Sequence, residues 1–264
     1  MNFESQSFYP SANSLEIIEQ CAQKLSPEDK RLSEWHNSYV TNHKSRIALD
    51  LDIAKDQVHH GNSILEFGSV PLLFTAALAA SNYNVTGIDI APERYKETIA
   101  KLRIDVIKCD IESERLPFAD NSFDTVVFNE IFEHLRINPV FTLSEVLRVI
   151  KPGGHMMLSS PNLRSLYGLV NFLIKNRAYS CSGNIYAEYQ KLEKPGHMGH
   201  VREYTTKEVI EFLENIGFAV TTIIYRGSFN TNFKQIVARL FPNVRPFVSY
   251  VAIKPVHSVY QSHM

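Results

Sequence analysis

Hydrophobic residues along this chain form short blocks in two rhythms. Seven runs have the length and the apolar, β-branched character of strands: Ser63–Phe67, Asn84–Asp89, Arg103–Lys108, Phe123–Phe128, His155–Ser160, Phe218–Tyr225 and Phe247–Ile253. Between them lie stretches with helical spacing: Leu72 to Ala80, Pro92 to about Ala100, Pro139 to Ile150, and a segment capped by Thr205 or Thr206 that runs to Asn215. Pro92 suits a first helical turn, and Lys151-Pro152-Gly153-Gly154 punctuates the end of the helix before the fifth strand. Ahead of the first strand, Trp35, Tyr39, Arg46, Leu49 and Ile53 recur at helical steps and predict a helix over 33–57, whereas residues 1–32 show no sustained period.

Strands alternating with helices at this spacing predict an α/β fold, a doubly wound and mostly parallel seven-stranded sheet of Rossmann-like type. Residues 1–60 are expected to form an N-terminal helical cover and 61–264 one core. The alternation lapses over 161–204, after the fifth strand, so this excursion is expected to be a lid on the acceptor side. Within it, Leu166–Ile174 reads as a buried lid helix that could also greet an apolar or lipid-linked molecule. Right-handed crossovers put the loops after successive parallel strands on one edge. Gly68, Asp89, Asp110 and Asn129, far apart in sequence, are therefore expected in one crevice.

Composition narrows the candidates. A formal net charge of −1 offers no polycationic surface, so no nucleic-acid partner is expected. Cys21, Cys109 and Cys181 share no close spacing and form neither a zinc motif nor a disulfide framework. The N-terminus lacks a basic flank and an apolar run, and no apolar stretch nears the roughly 20 residues a membrane-spanning helix needs. A cytoplasmic protein without a transmembrane segment is the expectation. Asp120 and Asp124 flank the beginning of the fourth strand while Asn129 and Glu130 lie at its far end, so no coherent ligand set forms and no metal is expected.

The chemistry concentrates after the first two strands. Gly68 allows a tight turn and close approach of backbone to a ligand, and the carboxylate of Asp89 suits a pair of ribose hydroxyls. The run Gly68-Ser69-Val70-Pro71-Leu72-Leu73 lacks the Gly-x-Gly-x-x-Gly of dinucleotide sites, and no Lys-Ser or Lys-Thr follows to make a phosphate loop.

Taken in order, Ile64-Leu65-Glu66-Phe67-Gly68, Asp89, Asp110-Ile111, Leu116-Pro117-Phe118, Ser122-Phe123-Asp124, Asn129-Glu130 through His134-Leu135, and Leu147 to Gly154 resemble the core of the class I S-adenosylmethionine-dependent methyltransferases, in particular those modifying small molecules, sugars and lipids. The resemblance implies S-adenosylmethionine as cofactor, held by Glu66, Gly68, Asp89, Ile90, Asp110, Ile111 and Asn129. It implies methyl transfer to an O or N atom of a small metabolite, sugar or lipid-linked sugar, and leaves a homodimer open.

His200 and His134 are the candidate bases; His134 follows Glu130 by one helical turn if the segment is helical. Tyr39, His43, Tyr186, His197, Arg202 and Tyr204 are the candidate acceptor contacts. The family places glycines where Val70 and Leu72 stand, and a β-branched Val70 resists positive φ. The competing expectation is therefore a methyltransferase-like binding or scaffold protein without the reaction.

Overall fold

The computed structural model describes residues 9–58, 61–191, 199–229 and 231–256. Chain order is α1 (Ala12–Ala22), α2 (Ser33–Gln57), β1 (Ser63–Phe67), α3 (Leu73–Ala80), β2 (Asn84–Asp89), α4 (Lys96–Leu102), β3 (Asp105–Lys108), β4 (Phe123–Asn129), α5 (Pro139–Val149), β5 (Ile150–Pro161), α6 (Leu166–Lys175), α7 (Ile185–Lys191), α8 (Thr206–Ile216), β6 (Ala219–Arg226), α9 (Asn232–Leu240) and β7 (Phe247–Ile253). The strands form one seven-stranded sheet in the order β3-β2-β1-β4-β5-β7-β6, parallel except for β7. This is the doubly wound sheet expected from the alternation of periods.

Side-chain alternation in the central strands divides the core between the two faces of the sheet. Ile64 and Val127 enter one apolar cluster with α1, α2 and α3, whereas Leu65, Phe67, Val126 and Phe128 enter the other with residues of α5 and α8. Order reverses at β1, between β2 and β4, where a doubly wound sheet opens its crevice.

Several elements depart from the sequence reading. Helix α1 is a regular helix whose buried stripe is only Ser14, Ile18 and Cys21. One position of that stripe is polar, satisfied by Ser14 Oγ donating to Asp52 Oδ1 at 2.6 Å, so the period is invisible in sequence. The helix expected from Pro92 is a 3₁₀ turn over Pro92–Tyr95 followed by α4, because Tyr95 leaves the helical region at φ −132°. Arg103 closes α4 at φ +53°, which delays β3 to Asp105. Lys151-Pro152-Gly153-Gly154 does not separate helix from strand: β5 already pairs at Ile150, and these residues bulge before pairing resumes at His155. Helix α9 lies in a stretch to which the pattern assigned no element.

Helix α6, expected as a buried helix, is not buried. Gly168 is its sole buried residue, and Tyr167, Val170, Phe172, Leu173 and Ile174 face outward. No helix among the described residues is long and apolar enough to cross a membrane.

Candidate active site

The carboxyl ends of β1, β2 and β4 open into a cleft of about 670 Å³, completed by one face of α2 and by Cys181, Lys191 and His200. Its walls include Glu66, Gly68, Asp89, Ile90 and Asn129, all expected at a cofactor, together with Tyr39, His43, His134 and His200. Asp110, Ile111, Tyr186, Arg202 and Tyr204 are outside the walls, and His197 lies outside the described residues.

The turn after β1 is shaped by two small residues. Gly68 has φ +63°, and a Cβ there would sit 2.5 Å from Ile131 Cδ1. On β2, a Cβ at Gly87 would meet Ser69 Oγ at 2.7 Å, so Gly87 lets the turn lie against the strand. Val70 donates its amide to Asp89 Oδ2 at 3.0 Å, and Ala91 donates to Oδ1 at 2.8 Å. Positive φ falls on Leu72 (+70°), not on Val70. The strain expected at the β-branched residue is thus carried next door, and full burial of the Leu72 side chain in the core holds it there.

Glu66 shares the face of β1 with Ile64, toward α2 and α3, and is buried with Oε2 unpartnered. Burial raises its carboxyl to about 8; the Thr75 hydroxyl opposes this, and Asp89 and Asp50 add to it. Asn129 also keeps a buried amide nitrogen without a partner. One orphaned acceptor, one orphaned donor and a carboxylate at the end of β2 fit a cofactor with a charged amino-acid end and a ribose.

Helix α2 contributes Trp35, Tyr39, His43 and Arg46 as one stripe on the cleft, with Tyr39 and His43 ring centroids 4.6 Å apart. Beneath it is a charge network the sequence did not reveal. Arg226 Nη1 lies 3.0 Å from Asp50 Oδ1, as an ion pair rather than an aligned hydrogen bond, and Nη2 lies 3.0 Å from Glu130 Oε1. Arg46 is 3.7 Å from the same Glu130 oxygen. Burial alone would raise the Glu130 carboxyl, but Arg46 and Arg226 outweigh it and hold the group below its ordinary range.

Two imidazoles, His134 after β4 and His200 before α8, line a further wall of the cleft. Glu203 is buried and accepts from the Ser180 amide at 2.6 Å, from the Ser180 hydroxyl, from the Cys181 and Ser182 amides at 3.1 and 3.2 Å, and from His200 Nδ1 at 3.3 Å. Burial opposes ionisation, but His200 and the Ser180 donors prevail and hold the carboxyl at about 2. An ionised carboxylate only accepts, so His200 Nδ1 carries a proton, and Nε2 is the only nitrogen through which the ring can accept. His134 Nδ1 likewise faces the Gly199 carbonyl at 3.1 Å. Burial, with His200 adding to it, lowers His134 to about 4, so the ring is neutral near pH 7.

Glu130 and His134 do not share an α-helix as expected: Glu130 has φ +55° and His134 ends a 3₁₀ turn, yet both reach the cleft. Glu133, missed in the sequence, is buried with both carboxylate oxygens unpartnered. Its carboxyl is raised by burial and by Glu130. Ligand-type atoms of Glu133, His134 and His200 lie within 4.8 Å of one another.

The remaining candidates have other partners. Asp110 accepts from the Glu112 amide and the Ser113 hydroxyl and closes the turn after β3. Ile111 packs in the core, and Tyr204 stacks on Phe132. Arg202 pairs with Glu208 at 2.6 Å. Tyr186 is turned out because α7 buries its Glu188 side instead.

A parallel sheet reversing at its first strand, a glycine turn, and a carboxylate ending the second strand define a nucleotide-cofactor protein of the Rossmann-like class. Residues 65–158 match the family model described as a methyltransferase domain. A ubiquinone biosynthesis O-methyltransferase of Dechloromonas aromatica is 32% identical over 111 residues, 39% of this chain and 45% of that protein. A Mycolicibacterium smegmatis protein named "Probable S-adenosylmethionine-dependent methyltransferase" is 30% identical over 174 residues, 64% of this chain and 57% of that one. A 2-methyl-6-phytyl-1,4-hydroquinone methyltransferase of Synechocystis is 32% identical over 119 residues, 41% of this chain and 35% of its own length. The chain thus spans about half the length of these curated relatives.

Among solved structures, methyltransferases of Archaeoglobus fulgidus (TM-score 0.54, 17% identity, 82% of this chain and 99% of that one) and Methanosarcina mazei (0.54, 20%, 78% and 98%) share the fold. Residues 65–158 are thus similar to the methyltransferase domain family, and the sheet around them shares the fold of solved methyltransferases whose cofactor is S-adenosylmethionine.

Proposed function

We propose that this chain catalyses methyl transfer to an oxygen or nitrogen atom of a small acceptor, with His200 as the base. The observation that carries the reading is the His200–Glu203 pair: a buried, ionised carboxylate fixes an imidazole on the wall of the cleft that Glu66 and Asp89 also line. The order donor, imidazole, carboxylate is the usual way to hold a general base in one tautomer.

Glu66, Asp89 and Asn129, with the backbone at Gly68, would hold the cofactor; Ile90 lines the same wall, and Asp110 and Ile111 lie just beyond it. S-adenosylmethionine when bound supplies an electrophilic methyl group on a sulfonium. His200 Nε2 takes the proton that the acceptor's hydroxyl or amine gives up as its bond to the methyl carbon forms, and neutral His134 is the neighbouring acceptor of a hydrogen bond. Trp35, Tyr39 and His43 offer ring faces to a planar or sugar-like acceptor. Two relatives are named for quinone-type molecules, one of them as an O-methyltransferase, which supports a ring-bearing small acceptor.

The second reading is a binding protein without the reaction, and the turn favours it: Val70 lines the cleft, and its amide occupies an oxygen of Asp89. Calorimetric titration with S-adenosylmethionine separates the two. Binding that is lost in Asp89→Ala, with turnover but not affinity lost in His200→Asn, supports methyl transfer. No binding by folded protein refutes it in favour of the second reading, and unchanged turnover in His200→Asn removes His200 as base.

A further inference from the structure

Two helices at the cleft edge leave large apolar side chains in solvent. Strands β5 and β6 are both antiparallel to β7 and therefore parallel to each other, so Pro161 and Arg226 end on the edge where β1, β2 and β4 end. Helix α6 follows β5 and α9 follows β6 on that edge. They adjoin through Tyr167, whose ring stacks on Phe229 at 5.2 Å and lies 4.8 Å beneath Lys234 Nζ. Val170, Leu173 and Ile174 make the exposed stripe of α6, and Phe233, Ile236 and Leu240 that of α9. Leu173, Ile174, Phe233 and Leu240 are 70–77% exposed, far beyond what scattered surface leucines explain.

The two stretches of sequence that carry these stripes have charges of one sign. No Asp or Glu occurs between Glu145 and Glu188, nor anywhere after Glu214, although the whole chain is nearly neutral. Arg164, Lys175, Arg177, Lys234 and Arg239 all fall in these two acid-free stretches. Apolar residues and only basic ones on short helices are the composition of segments that lie in the interface of an anionic bilayer. A second copy of the chain is disfavoured, because a two-fold interface would set these cations against themselves.

We infer that α6 and α9 form a docking face for anionic lipid bilayers, seating the cleft edge against the membrane surface. Leu173, Ile174, Phe233 and Leu240 enter the acyl boundary while Lys175 and Arg239 meet lipid phosphates. This surface does not depend on the acceptor or on methyl transfer.

Flotation with vesicles of phosphatidylcholine and phosphatidylglycerol, against vesicles of phosphatidylcholine alone, tests it on the full chain. The protein is expected to float with the anionic vesicles and to be released by salt. Partition should fall roughly fivefold or more for each of Lys175→Glu and Arg239→Glu, and roughly tenfold or more for Leu173→Ser with Ile174→Ser. Because these side chains are exposed, the variants should keep the parent's circular dichroism and S-adenosylmethionine binding. The inference is overturned if the parent protein ignores anionic vesicles, or if the apolar variant floats equally well. It is also overturned if sedimentation shows a dimer that Leu173→Ser with Ile174→Ser dissociates, because a second copy then covers the face.

Discussion

Glu203→Gln is the most informative single change beside the cleft. The wild-type carboxylate accepts from Ser180, Cys181, Ser182 and His200 and is held at about 2, against an ordinary value of 4.5. A depressed carboxyl stabilises the fold fully above its unfolded value and loses that contribution as pH falls through its folded value. The gap between 4.5 and about 2 amounts to roughly 3 kcal/mol. Glutamine keeps one acceptor but turns an NH₂ toward amides that also donate, which adds about 1–3 kcal/mol for unsatisfied groups. Hydrogen exchange at the Ser180–Ser182 amides and urea unfolding read the result. Exchange there should accelerate by about a hundredfold or more, and the loss of stability that wild type shows below pH 4.5 should be blunted in the variant. Unchanged exchange, or an unfolding free energy within about 0.5 kcal/mol of wild type, would refute the view that one carboxylate organises the Ser180–Ser182 turn.

Two more outcomes follow from the turn after β1. Glu66 is raised to about 8, so its neutral form stabilises the cofactor-free protein below pH 4.5 and that contribution is lost as pH rises toward 8. Glu66→Gln should flatten the dependence of urea midpoint on pH across this range, and equal slopes in both proteins would show that Glu66 is not the group responsible. Leu72→Gly relieves about 1–2 kcal/mol of left-handed strain but empties a fully buried site costing about 2–5 kcal/mol. The net effect should be destabilising in urea unfolding, and a stabilised variant would mean that strain outweighs packing there.

The sequence alone determined the order of the seven strands and of the helices between β1 and β6 that carry a clear stripe, but not α1 or α9, because β-branched runs and amphipathic stripes report local burial. It also determined that Gly68, Asp89 and Asn129 reach one edge, because handedness and parallel pairing leave the loops nowhere else to go. It located the α2 stripe of Tyr39, His43 and Arg46, since helical spacing carries that information. Tertiary structure decided what depends on contacts between distant segments. Asp50 and Arg226, 176 positions apart, meet under the cleft, and no local pattern marks a charge that will be buried. Glu203 could be read as an ordinary charge before a helix until the Ser180–Ser182 turn folded over it. The positive φ of Leu72 and the outward apolar face of α6 were likewise invisible, because a hydrophobic residue carries no label saying whether core, strain or another surface will receive it.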